Sequence, residues 1–168
     1  FGLFLTLIPD WSEHLGATNK GLFFTAFTVA SVMVRFGAGK VSDRHGRPKV
    51  IMAGLIITSI ALFVISAGRD INMLLVGAGI YGVGTGILSP AISAWTIDMS
   101  NPEHRGKAVA TMYISMELGI GSGALLGGTY YNDQINRIPQ IIRFDILVLI
   151  LGIVYLTYWA RNKRKIKA

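Results

Sequence analysis

The sequence predicts an all-α membrane protein with six transmembrane helices. Three observations carry that reading. Hydrophobic residues fill 52% of the 168 positions and charged residues 15%, where a water-soluble domain carries about 25% charge. Mean hydropathy is +0.52. The apolar residues gather into long stretches, separated by short connections that alternate in positive charge. Disorder, collagen and a soluble coiled coil are excluded by the same composition. Cysteine is absent, which removes disulfides and cysteine-ligated metal. His14, His45 and His104 are far apart and offer no metal-ligand spacing, so neither metal nor cofactor is expected.

About 20 apolar residues in a helix cross the hydrocarbon layer of about 30 Å. The first stretch, 1–9, is too short to cross alone. It begins at Phe1 without the basic start or cleavage site of a signal peptide, so it reads as a helix whose first half is missing, and the chain as a fragment. The second stretch is 21–39. The third, 48–66, holds ten Leu, Ile, Val and Phe residues between Val50 and Ile65; at about 0.3–0.6 kcal/mol each they favour insertion by about 3–6 kcal/mol. The fourth, 71–95, has no charge from Ile71 to Ile97. The fifth, 108–130, and the sixth, 141–160, complete a transmembrane unit 1–160, and 161–168 is a basic tail.

Eleven Lys and Arg fall in the second–third connection (Lys40, Arg44, Arg47, Lys49), the fourth–fifth (Arg105, Lys107) and the tail. Lys20, Arg69, Arg137 and Arg143 are the four in or beside the other connections. Basic connections stay inside, so the richer set and the C-terminus are expected to be cytoplasmic, in a multi-pass cell-membrane protein. Orientation thereby accounts for the net charge of +7, and no nucleic-acid partner is expected.

Gly77-Ala78-Gly79-Ile80-Tyr81-Gly82 follows an apolar run, with Asp98 sixteen residues beyond, and so raises a dinucleotide-binding oxidoreductase as a rival. That fold needs a helix after the third glycine, whereas Gly84, Gly86 and Pro90 follow instead. In a membrane, glycines let helices approach closely. Gly82 with Gly86, Gly119 with Gly123, and Gly123 with Gly127 are spaced four apart and read as packing strips, with Pro90 as a bend.

The second–third connection reads Gly39-Lys40-Val41-Ser42-Asp43-Arg44-His45-Gly46-Arg47-Pro48-Lys49, a tight turn by its glycine and proline. The pattern G-x-x-x-D-R-x-G-R-x-K between two spans resembles the signature loop of the major facilitator superfamily of secondary transporters. Pro102-Glu103-His104-Arg105-Gly106-Lys107-Ala108 is similar to the family's turn before its fifth or eleventh helix. No arginine lies early in the fourth stretch and a basic tail ends the chain, so the six stretches resemble helices seven to twelve. The resemblance implies half of a twelve-helix bundle, with a missing N-terminal six-helix half as partner. It implies a cytoplasmic gating motif of Gly39, Asp43, Arg44, Gly46 and Arg47, clustered with Asp98, Glu103 and Arg105.

Glu117 lies about 15 Å into the fifth stretch. An acid there costs about 2.5–3.5 kcal/mol, close to the total that the six Leu, Ile and Val of 109–126 contribute. The helix must therefore face a polar interior, with Glu117 either a proton or substrate site or a structural hydrogen-bonding group. Tyr113, one turn earlier, shares its face; Tyr81 and Ser89 are further cavity candidates. Arg35 reads as snorkelling from one turn inside the cytoplasmic end, Asp10 and the Arg143–Asp145 pair as outer-rim charges, and Trp11, Trp95, Trp159, Tyr130, Tyr131 and Tyr158 as an interfacial belt.

The expected function is alternating-access transport of a small molecule, with protons as coupling partner and efflux of amphipathic compounds favoured by the mostly apolar fourth stretch. Uptake of a sugar or other metabolite, and a non-transporting membrane scaffold, stand as alternatives.

Overall fold

Six helices form the chain in the computed structural model, which describes residues 1–166. They are α1 (Gly2–His14), α2 (Leu22–His45), α3 (Arg47–Ala67), α4 (Ile71–Met99), α5 (Arg105–Tyr131) and α6 (Ile138–Ile166), with 3-10 turns at Pro102–His104 and Ile135–Arg137. Five are long and apolar enough to cross a membrane, and α1, with 13 residues, is not. Of the basic segment 161–168, the backbone to Ile166 prolongs α6, while the side chains of 161 and 163–166 and all of 167–168 lie outside the described residues.

Several boundaries differ from the hydropathy reading. The expected turn at 39–49 is mostly helix: α2 runs on to His45, and the chain breaks at Gly46 alone, where φ is +88°. That left-handed conformation suits glycine, and α3 restarts at once with Pro48 in its first turn. Arg35 therefore lies ten residues, about 15 Å, from the end of its helix, and not one turn. Helix α4 passes unbroken through 77–82 and Pro90. No strand occurs among the described residues, which removes the dinucleotide-binding alternative.

Helix α4 is the centre of the packing. It lies against α2 on one side and α3 on another, α3 also meets α6, and α1 rests on α5. Glycines set the closeness. A Cβ at Gly82 would collide with the Phe27 carbonyl oxygen of α2, and one at Gly86 would meet the Ser31 carbonyl at 2.8 Å. On the opposite side, Gly84 abuts Thr58 and Gly77 abuts Ile65, both of α3. Lipid is as apolar as leucine, so close van der Waals contact between smooth surfaces has to hold such helices together.

Phe4 of α1 stacks on Tyr81 of α4 with ring centroids 4.2 Å apart, and Phe23 and Phe27 of α2 close around Phe4. Trp11 and Tyr131 are buried in this same core, and so do not form part of an interfacial belt. Their positions near helix ends suggested the belt; the seating of α1 against α5 covers them instead. Trp95 and Trp159 meet edge to face at 4.9 Å and tie α4 to α6.

Candidate functional site

Three helix ends meet where α2 passes into α3. Arg47, the first residue of α3, directs Nε to Asp98 Oδ2 at 2.9 Å and Nη1 to Asp43 Oδ1 at 2.5 Å. Asp43 stands in the last turn of α2 and Asp98 in the last turn of α4. Each charge is on the unfavourable end of its own helix: carboxylates near C-termini, a cation at an N-terminus. Mutual pairing offsets those three disadvantages together. The cluster thus favours whichever arrangement keeps the ends of α2, α3 and α4 in contact, and both carboxylates are more than half exposed, so water can replace either one.

The remaining residues of the expected cluster are placed around this clamp without joining it. Gly39 and Arg44 are exposed on α2, and Gly46 forms the break. Glu103 and Arg105 are exposed around the 3-10 turn into α5, where the Glu103 N–H donates to Asn101 Oδ1 at 3.3 Å. Neither Arg44 nor Glu103 forms an ion pair among the described residues.

The candidate cavity residues divide into separate places. Tyr113 and Glu117 share an open face of α5 with Ile114, Leu118, Gly121 and Ser122. Only Gly127 and Tyr131 of α5 are buried, so this helix presents nearly its whole length outward. Ser89 is exposed on α4. Tyr81 is buried beneath Phe4 and does not share that open face. Of the α5 glycines, Gly127 meets Leu3 of α1, Gly123 has Leu3 at 4.0 Å, and Gly119 faces open space.

Asp145 departs from its expected place at the rim. Helix α6 begins at Ile138, so Asp145 is about two turns inside it, half-buried beside a cleft between α5 and α6. At the same end of the bundle, Arg137 Nη1 donates to the Tyr130 carbonyl at 2.8 Å and its guanidinium lies 5.1 Å from the Tyr130 ring centre. Nothing in the spacing of the sequence singled out Arg137; its value lies in capping a helix C-terminus across the turn. Lys20 and Glu13 pair at 2.6 Å across the α1–α2 connection, and the hydrogen bond to Glu13 holds the Lys20 ammonium above its ordinary range.

The sequence profile of the Major Facilitator Superfamily matches residues 1–168. The chain belongs to that superfamily. Among superfamily relatives, it is 28% identical over 165 residues to "Multidrug resistance protein 1" of Bacillus subtilis, covering 96% of this chain and 42% of that protein. It is 26% identical over 157 residues to "Quinolone resistance protein NorA" of Staphylococcus aureus, covering 91% and 40%. The crystal structure of the human organic anion transporter MFSD10 (TETRAN) superposes with a TM-score of 0.76 at 21% identity, over 93% of this chain and 42% of that one. That likeness is one of fold. The chain spans about two fifths of the length of these relatives, and five of its helices are long and apolar enough to cross a membrane.

Proposed function

We propose that this chain is the C-terminal six-helix half of a secondary transporter that exports amphipathic small molecules in exchange for protons, by alternating access. The observation that carries the reading is Glu117, ionisable and exposed on a helix that is otherwise apolar enough to span a membrane. A carboxylate at that depth is stable only beside water, a polar partner or a proton. Tyr113, one turn away on the same face, offers a hydroxyl, and Ser89 a second one from α4. An N-terminal half supplies the opposite wall. Tyr81 supports the cavity from beneath, by holding α1 on α4 through Phe4.

In this mechanism the Asp43–Arg47–Asp98 clamp, with Gly39, Arg44, Gly46, Glu103 and Arg105 around it, lies at the cytoplasmic end. Pairing keeps that end shut, and exchange of a carboxylate for water lets it open. The relatives' names, a multidrug and a quinolone resistance protein, support efflux over uptake. The test is proton-gradient-driven extrusion of an amphipathic dye from proteoliposomes containing the full-length protein. Glu117→Gln is expected to abolish acceleration by the gradient, while dye binding persists. Gradient-driven extrusion at the wild-type rate in that variant overturns the role of Glu117. No flux from the wild-type protein leaves the scaffold reading in its place.

A further inference from the structure

We propose that the end of α6, together with Lys49 at the start of α3, is a docking surface for anionic phospholipid headgroups. Unequal helix lengths build it. Val50 and Ile51 of α3, Ala91 of α4 and Leu156 of α6 bury one another in one cluster, which fixes a common level for these helices. From Val50, α3 reaches its first residue, Arg47, within three residues, or about 5 Å. From Leu156, α6 runs on for ten residues to Ile166, about 15 Å. It therefore stands about 10 Å beyond the start of its neighbour. By sequence, 161–168 holds Arg161, Lys163, Arg164, Lys165 and Lys167 and no Asp or Glu. Lys49, in the first turn of α3, is exposed and forms no ion pair among the described residues.

The position of this projection decides its partner. Leu147, Leu151, Val154, Tyr155 and Tyr158 are exposed, and their spacing of three and four places them on one face of α6. No charged residue interrupts 146–160. Exposed faces suited to another stretch of protein carry charge, Arg35 on α2 and Glu117 on α5. The α6 face carries none and fits lipid tails. The basic segment thus leaves the bundle at its border with the bilayer, where Tyr158 marks the level at which aromatic rings meet headgroups.

Lys and Arg lay apolar stems along such a border and keep their charge at headgroup height. Five cations in eight residues, with no carboxylate among them, call for phosphate, and an anionic leaflet favours each basic residue beside a span. A soluble polyanion would meet the charge, but it has no use for the apolar and aromatic face that leads into it. This surface is independent of the proposed transport role of Glu117, and the two readings can fail separately.

The experiment measures binding of a fluorescent short-chain phosphatidylglycerol to the full-length protein in dodecyl maltoside micelles. Arg161→Gln, Lys163→Gln, Arg164→Gln, Lys165→Gln and Lys167→Gln together are expected to raise the Kd about tenfold or more, and Lys49→Gln alone severalfold. Arg161→Lys with Arg164→Lys keeps the charge and should stay within about twofold of wild type. Lys20→Gln with Arg69→Gln, on connections at the other end of the bundle, should do the same. Phosphatidylcholine should not compete, and inorganic phosphate should displace no more lipid than sodium chloride at the same ionic strength. Wild-type affinity in either the fivefold Gln variant or Lys49→Gln overturns the proposal. So does displacement by inorganic phosphate beyond the salt effect, which would mark a site for the free anion. Displacement by a single-stranded oligonucleotide at concentrations below that of the lipid overturns it as well, in favour of a nucleic-acid arm.

Discussion

Gly82→Ala and Gly79→Ala form a matched pair on α4 that isolates the energetic worth of a close helix crossing. Both replace a mid-helix glycine, so both gain about 1 kcal/mol of helix propensity. Their surroundings differ. A Cβ at Gly79 meets nothing within 4 Å. One at Gly82 collides with the Phe27 carbonyl oxygen and comes within 3.1 Å of the Phe27 carbonyl carbon and the Ala30 Cβ. Ordinary contact for such atoms begins near 3.5 Å, so α2 and α4 must part by roughly half an ångström or more along the crossing. Overpacking of this kind costs about 1–3 kcal/mol, and the obstacle is backbone, which no rotamer change relieves. The expected outcome is that Gly79→Ala is neutral or stabilising by up to about 1 kcal/mol, and that Gly82→Ala is less stable than Gly79→Ala by about 1–3 kcal/mol. Reversible unfolding in mixed micelles, followed by tryptophan fluorescence, measures both. Equal stability of the two variants refutes the reasoning, because propensity cancels between them and only the crossing remains.

Arg47→Gln and Asp98→Asn are each expected to lower transport severalfold without loss of folded protein, and the double variant should be no worse than either, since both remove one link; initial rates at matched expression check this. Asp70 caps α4 by accepting the Met73 N–H at 2.7 Å, so Asp70→Ala should cost about 1 kcal/mol and Asp70→Asn far less, read by the same unfolding assay. The raised Lys20 value sets a pH window for its pairing with Glu13. Its stabilisation is full below the ordinary lysine value of 10.5 and is lost as pH climbs through the raised one. The difference in melting temperature between wild type and Lys20→Met should therefore shrink at strongly alkaline pH.

Helix number and centre were legible in the sequence because crossing a membrane demands a countable run of apolar residues. Helix ends were not. Lys40, Asp43 and Arg44 end an apolar stretch, but their backbone hydrogen bonds continue, and only the left-handed Gly46 stops α2. The spacing of Gly82 and Gly86 suggested a smooth strip, and atoms of α2 stand close against both glycines. The same spacing at Gly119 and Gly123 lines a gap, because periodicity describes a face and says nothing of what stands opposite. Asp145 was misplaced by the same limit: Ile138-Pro139-Gln140 looks like a connection, yet it is the first turn of α6 and carries the acid a turn deeper. The Arg47 clamp was half legible. Its residues stood out, but Arg44 was as good a candidate as Arg47 until the break at Gly46 set Arg47 at the start of α3, between Asp43 and Asp98.

The thin cover of α5 bears on how the protein is made. Helices α2, α3 and α4 bury one another through their glycines and can settle together as they leave the ribosome. Helix α5, with two buried residues and an acid in its apolar run, has little to gain from entering the bilayer by itself. It rests chiefly on α1, synthesised about a hundred residues earlier. Helix α1 has therefore to be in place before α5 arrives, and a lesion in α1 at Gly2 or Leu3 would surface as a failure of α5 to integrate, far downstream of the altered codon.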